Sequence, residues 1–303
     1  MHVLVAALLV QYVVSVKAGL VNDVQGTANV SLMQTVNVGR PIRTGSDGYV
    51  EILLRPGSFL RLGEDSEATL DDADLSSVKV TILHGPALVE AAEINKDHPI
   101  TIVTGNLTTK IRNTGIYKFE NGVATVLEGK LQTGDSNLTY EKGWQVFYQD
   151  NYRARKTGKL LETSLDAYSQ SRSGVIAGAN LSMVSSLAYG GNAGYSDFDI
   201  WLFSPYLRLY TYIPRTNYRS PYGNRYYAVP DRATVRNYSG SDNSSSSGGG
   251  SSSRPAPDNS NNSSTSTAAA PPPAPTANTP SGQVSTPAVY IDSKNSPVGA
   301  TTR

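Results

Sequence analysis

Between residues 20 and 150 the apolar positions fall in short runs, and within the runs they alternate with polar ones. Spacing of three or four, the mark of a helix face, is almost absent there. The predicted strands are 27–32, 49–54, 59–62, 78–83, 87–91, 100–104, 107–111, 116–119, 123–127 and 145–148. In Tyr49-Val50-Glu51-Ile52-Leu53-Leu54 and Phe59-Leu60-Arg61-Leu62 every second side chain belongs to a buried face and the others to a wetted face. Gly45-Ser46-Asp47-Gly48, Arg55-Pro56-Gly57-Ser58 and Gly63-Glu64-Asp65 punctuate the runs, and Asn121-Gly122 between two apolar segments is a hairpin signal. The pattern predicts an all-β domain over 19–150, a solenoid-like or sandwich stack of short strands.

The domain echoes itself. Val24-x-Gly26, Leu83-x-Gly85 and Leu127-x-Gly129 each set an apolar residue two places before a glycine that opens a new strand, and Thr44-Gly45 is matched by Thr104-Gly105. Gly26, Gly45, Gly57, Gly85, Gly115 and Gly129 are the predicted fold-defining turns.

The flanks differ in character. Residues 3–16 form an apolar run shorter than the roughly 20 residues that span a bilayer. Val16-Lys17-Ala18 then offers a site for signal peptidase, so 1–18 is expected to be a signal peptide with cleavage after Ala18. Residues 151–187 begin with Arg153, Arg155, Lys156 and Lys159, followed by one short amphipathic helix carrying Leu161, Leu165, Tyr168 and Arg172; Gly174 and Gly178 argue against a long one. Residues 188–238 are aromatic and read as irregular, and ten of the 18 tyrosines lie between Tyr189 and Tyr238. From 239 to 303 the chain is Ser, Gly, Asn, Pro, Ala and Thr, too poor in apolar groups to offset its ordering entropy, and is expected to be a disordered tether.

Composition narrows the chemistry. Over 303 residues, 26 Lys and Arg balance 25 Asp and Glu, which removes the positive field a nucleic-acid binder needs. The absence of Cys excludes disulfides, thiolate metal sites and cysteine nucleophiles, and the three His are scattered. Ser76-x-x-Lys79 continues into a predicted strand and has no companion motif, so it is not read as a nucleophile. Glu64, Asp65, Glu67, Asp71, Asp72 and Asp74 lack the spacing of a calcium loop and read as a solvated loop face. Gly190-Gly191-Asn192-Ala193-Gly194 is not followed by the Lys-Ser/Thr of a phosphate loop. His84 and His98 are read as turn residues, and the basic run at 153–159 as a solvated junction. No catalytic residue, metal site or cofactor is expected. The candidate binding surface is aromatic, Trp201, Tyr206, Tyr210, Tyr212 and Tyr222, which either caps the β domain or seats a ligand.

The ordered set Val24-x-Gly26, Gly39-x-x-Ile42-x-Thr44-Gly45, Val50-Glu51-Ile52-x-Leu54-x-x-Gly57-Ser58, Leu60-x-Leu62 and Val80-x-x-Leu83-x-Gly85 resembles the FecR domain. The likeness continues through Pro99-x-x-Ile102-x-Thr104, Gly115-x-x-x-Phe119, Val126-x-Glu128-Gly129-x-Leu131 and Gly143. It implies an extracytoplasmic β domain. In iron-signalling regulators such a domain meets the signalling domain of an outer-membrane TonB-dependent transporter and passes the signal to an extracytoplasmic-function sigma factor. Those regulators carry a cytoplasmic anti-sigma segment before a membrane helix, whereas this sequence starts with a signal-like run.

The expectation is therefore an exported, non-enzymatic FecR-like binding or scaffold module, periplasmic or secreted. Its partner would be an unidentified envelope protein or glycan, with no nucleic acid and no integral membrane segment after signal cleavage. The alternative is a regulator in transporter-to-sigma-factor signalling. Oligomeric state is not legible.

Overall fold

A computed structural model describes residues 17–92, 96–134, 138–189 and 199–230. Most of the expected signal peptide, the Gly190–Gly194 segment and the expected tether lie outside the described residues.

In chain order the first strands are β1 (Leu20–Gln25), β2 (Pro41–Arg43), β3 (Tyr49–Leu53), β4 (Phe59–Leu62), β5 (Glu67–Asp72), β6 (Lys79–His84), β7 (Ala87–Ala91) and β8 (Ile100–Thr104). There follow β9 (Leu107–Ile111), β10 (Gly115–Glu120), β11 (Val123–Glu128), β12 (Lys130–Thr133), β13 (Thr139–Glu141), β14 (Trp144–Gln149) and β15 (Asn151–Lys156). They form two open sheets. One has eight strands in the order β1-β3-β4-β7-β10-β11-β14-β15, and the other has seven in the order β13-β12-β9-β8-β6-β5-β2. Only β6 and β8 pair in parallel; every other pairing within these sheets is antiparallel. Of the two predicted arrangements this is the sandwich, since stacked solenoid coils would pair in parallel.

Alternation explains the core. Val50, Ile52, Leu60, Leu62, Val89, Tyr117, Phe119, Val126 and Val146 of the larger sheet point inward, against Ile42, Leu70, Val80, Ile82, Ile102, Ile111 and Leu131 of the smaller. Each fully buried aliphatic or aromatic side chain contributes roughly 1.5–3 kcal/mol. The repeated apolar-x-Gly phrase marks places where the chain leaves one sheet for the other. Gly85 lies between β6 and β7, and Gly129 alone separates β11 from β12, at φ of 71° and 90°. A Cβ at Gly129 would sit 2.5 Å from the carbonyl oxygen of Thr114, so both conformation and space demand glycine. Of the other predicted turn glycines, Gly26 and Gly57 are also left-handed, whereas Gly45 and Gly115 are not.

Several expectations are corrected. The first strand is β1, not 27–32, which contributes only the bridge of Ala28 to Thr44. Part of the acidic segment is β5, with Ala68 and Leu70 turned into the core and Glu67, Thr69 and Asp71 outward; the acidic residues hid a period of two. The basic junction is largely β15, so the sheet runs to Lys156 rather than stopping at 150.

The helix is long, not short: α1 runs Ser164–Tyr189, 26 residues. Thr163 and Asp166 cap it reciprocally, the Thr163 amide donating to Asp166 Oδ2 at 2.9 Å and the Asp166 amide to Thr163 Oγ1 at 3.4 Å. Gly174 and Gly178 lie on its exposed side, where each costs about 0.5–1 kcal/mol without breaking a helix held by its packed face. That face is Leu165, Tyr168, Ser169, Arg172, Ser173, Ile176, Ala177, Asn180, Met183, Val184 and Leu187, which mixes polar with apolar residues and so escapes a hydrophobicity pattern. The described part of the segment read as irregular forms two hairpins, β16 (Ile200–Ser204) with β17 (Leu209–Ile213) and β18 (Tyr218–Arg219) with β19 (Arg225–Tyr226).

Candidate binding face of the eight-stranded sheet

The outer face of the larger sheet divides into two halves. Over β1, β3, β4 and β7 the predicted wetted residues Glu51 and Arg61 are instead fully buried, beneath α1 and the hairpins. Arg61 Nε donates to Glu51 Oε2 at 2.8 Å, and its Nη1 donates to Glu90 Oε2 and to Ser169 Oγ, each at 2.7 Å. Arg172 on α1 donates to Glu51 Oε1 at 2.8 Å, and Ser173 to Glu90 Oε1 at 2.9 Å. The Tyr168 hydroxyl donates to Asp23 at 3.0 Å.

Burial pushes Glu51 up, but the two guanidinium groups of Arg61 and Arg172 outweigh it and hold the carboxyl below its usual range. Glu90 has one guanidinium partner, and burial wins, raising it. Isolated buried charges are costly, so this half of the face is stable only with its cover in place.

Two asparagines fix that cover by standing in for strand pairing. Asn22 of β1 donates from Nδ2 to the Tyr210 carbonyl at 3.1 Å and accepts the Tyr210 amide at 2.6 Å. Asn180 of α1 donates to the Tyr212 carbonyl at 2.9 Å and accepts the Tyr227 amide at 2.7 Å. The aromatic residues fill the space between. Trp201, Tyr210, Tyr212 and Tyr226 pack with Leu53, Phe59, Ala92 and Ile176, and the Trp201 ring meets Phe59 edge-on at 5.1 Å. A Cβ at Gly57 would come within 3.0 Å of the Tyr212 ring, which shows how closely the hairpin lies on the β3–β4 turn.

Four of the five aromatic residues predicted to form a surface are thus interior or mostly covered. Trp201 and Tyr212 are each 1% exposed, Tyr210 is buried, and Tyr222 is half-buried, its hydroxyl donating to Ser169 Oγ at 2.8 Å. Burial raises the Tyr222 phenol to about 12. Tyr206 alone stands out, 90% exposed at the tip of the β16–β17 hairpin. Large aromatic surfaces are better buried than displayed, and local sequence does not say against what.

The other half of the face, over β10, β11, β14 and β15, is open. A groove of about 350 Å³ runs across it, floored by Lys118, Glu120, Val123, Thr125, Leu127, Gln145 and Arg155, and walled by Leu160, Leu161 and Thr163. Lys118 is committed to Asp166 at 3.0 Å. Arg155 donates to Gln145 at 2.9 Å and lies over the Phe147 ring at 5.7 Å, while Lys156 lies over Trp144 at 4.6 Å. Among the described residues Arg153 and Lys159 have no carboxylate within ion-pair distance.

Beside the groove, β15 closes the sheet, and among the described residues no strand pairs with its outer side. The opposite edge, β1, is tied to Tyr210 through Asn22, and the edges of the smaller sheet, β2 and β13, are three residues each. Sequence reasoning found the cations at 153–159 but missed Lys118, Thr125, Gln145 and Phe147. The alternation of β10, β11 and β14 carried that signal, since these residues are the complement of the core positions Tyr117, Ala124 and Val146.

The acidic residues are dispersed rather than gathered. Glu67 pairs with Arg43 at 2.9 Å, Glu64 accepts from the Tyr49 hydroxyl, and Asp72 and Asp74 cap the turn at Ser76-Ser77. Among the described residues no three metal-ligating side chains come together, and no helix is long and apolar enough to cross a membrane.

Residues 40–132, from β2 to the penultimate residue of β12, match the family described as FecR protein. The chain carries a FecR domain. The match spans the central strands of both sheets and stops before β14, β15, α1 and the hairpins. No curated protein matches the chain. Two crystal structures of a protein provisionally described as an anti-sigma factor, from Parabacteroides distasonis, are similar at 12% identity and a TM-score of 0.32. The similarity covers 39% of this chain and 60% of that one.

Proposed function

We propose that this FecR-domain chain is a non-enzymatic binding module, exported to the bacterial envelope, that holds an extended acidic segment of a protein partner along the open half of its larger sheet. One observation carries the reading: the edge strand β15 lies beside an open groove and bears Arg153 and Arg155, which among the described residues have no carboxylate within ion-pair distance. An edge strand presents unpaired N–H and C=O groups that a partner strand can complete, with side-chain pockets alongside giving specificity. The same cations repel a second copy of this edge and so select against self-pairing while favouring an acidic strand. The composition supports a binding role, since it lacks Cys and offers only three His for general-base work.

A photo-cross-linking residue at Asn151, on the edge, tests this in native cells against the same residue at Leu181, on the exposed side of α1. A protein adduct from 151 and not from 181 is expected. The purified partner should then lose at least tenfold in affinity for Arg153→Glu/Arg155→Glu. Equal adducts from both positions, or affinity unmoved by the double reversal, would sink the edge reading. A saccharide adduct would move the assignment to a glycan.

The FecR match favours a second reading, a regulator in transporter-to-sigma-factor signalling. In that case the partner strand would belong to a transporter's signalling domain. The native protein would then carry a membrane segment and co-purify with a sigma factor.

A further inference from the structure

The chain's first described residues are built into the sandwich, which bears on where an exported form would be processed. Lys17 bridges Asp74 in antiparallel fashion, and the Ala18 amide donates to the Ala73 carbonyl at 2.9 Å. Ala18 is 1% exposed and belongs to the main core. Gly19 is buried as well. Its amide donates to the Leu53 carbonyl and its carbonyl accepts from Val36, both at 2.8 Å, and Leu70 lies against it.

Cleavage after Ala18 would therefore do three things at once. It would remove a core methyl group, break the ladder to Ala73 and Asp74, and convert the Gly19 amide into an ammonium group. That group would carry three donors at a buried position where the amide meets the Leu53 carbonyl and the side chain of Leu70 lies close. A chain that begins at or before Lys17 keeps the ladder. In a chain beginning at Lys17 the terminal charge lies on an exposed residue beside Asp74, where opposite charges attract.

We infer that the mature chain retains Lys17 and Ala18, so that the processing site of the exported protein is upstream of the Val16–Lys17 bond or at it. Ser15, with Val13 two residues before it, is the small residue that a signal peptidase would read there. This rests on the export reading and corrects the expected cut after Ala18.

Intact mass and terminal-peptide mapping of the native protein from an extracytoplasmic fraction test it. A start at Val16 or Lys17, or at another residue between Met1 and Lys17, is the expected result. A start at Gly19 overturns the processing site and leaves export standing. A chain still carrying Met1 removes both. Independently, full-length chains released from a cleavable tag with Lys17 or Gly19 as first residue should differ in thermal midpoint. The Gly19 form should melt at least about 5 °C lower, and equal midpoints would overturn the structural reason for placing the cut upstream.

Discussion

The two halves of one sheet face make the useful comparison. Both follow the same alternation, with apolar residues turned to the sandwich core and polar residues turned away from it. Over β3, β4 and β7 the outward residues are Glu51, Arg61 and Glu90, buried in a network with α1. Over β10, β11 and β14 they are Lys118, Thr125 and Gln145, lining an open groove. Polar outward positions therefore do not mean a wet face. What differs is whether a later part of the chain brings matching groups, here Ser169, Arg172 and Ser173 at helical spacing. The covered half is specific to its cover because Ser169, Arg172 and Ser173 complete the bonding of Arg61, Glu51 and Glu90, and the open half is available to another molecule.

The sharpest break of this contrast is Arg61→Met, which leaves buried Glu51 with Arg172 and Asn22 and buried Glu90 with Ser173 alone. It should cost about 3–5 kcal/mol in urea denaturation. Joint replacement of Glu51, Arg61, Glu90 and Arg172 by apolar residues of similar size should recover most of that loss. A mild effect of Arg61→Met alone would show that the covered half is as hydrated as the open one.

The pH dependence should separate the two carboxylates, because their shifts have opposite signs. Glu51 is held below its unfolded value, so its contribution is present above about pH 4.3 and is lost as pH falls through the folded value. Glu90 is raised, so its contribution is present below about pH 4.3 and is lost as pH rises through the folded value. Relative to the parent protein, Glu51→Gln should grow less stable between pH 3 and 7, whereas Glu90→Gln should gain. Each trend should be on the order of 1 kcal/mol. Parallel trends from urea titrations at the two pH values would contradict the asymmetric pairing.

Smaller effects test the cover and the open half. Gly174→Ala and Gly178→Ala meet nothing within 4 Å on the exposed side of α1. Each should raise stability by about 0.5–1 kcal/mol. At the bottom of the scale, Arg153→Glu/Arg155→Glu should change folding by no more than about 0.5 kcal/mol, as surface substitutions do, while abolishing edge binding. A large loss of stability there would mean that the cations serve the fold rather than a partner.

Much of the sandwich was legible because its strands obey a period of two over short distances. Nine of the ten predicted runs lie on observed strands, and the repeated apolar-x-Gly phrase falls at strand ends, where Gly85 and Gly129 turn the chain between sheets. The failures share a cause. In β5 and β15 charged residues masked an alternation that Ala68, Leu70 and Ala154 still carry. In α1 the buried stripe contains Ser169, Arg172, Ser173 and Asn180, so hydrophobicity underestimates it. The aromatic segment looked irregular because its pairing is completed partly by the side chains of Asn22 and Asn180, 188 and 32 residues away from the backbone groups they bind at Tyr210 and Tyr212.

By itself the sequence determined the all-β class, the buried face of most strands and the FecR resemblance. These follow from local spacing and from glycines whose backbone conformation no other residue adopts cheaply. Only the tertiary structure decided which polar positions are dry, that Trp201 and Tyr212 are core rather than surface, and that the basic run at 153–156 is an open strand edge. Burial is a property of what packs on a residue from far along the chain, and alternation fixes only the side of the sheet on which each residue meets it.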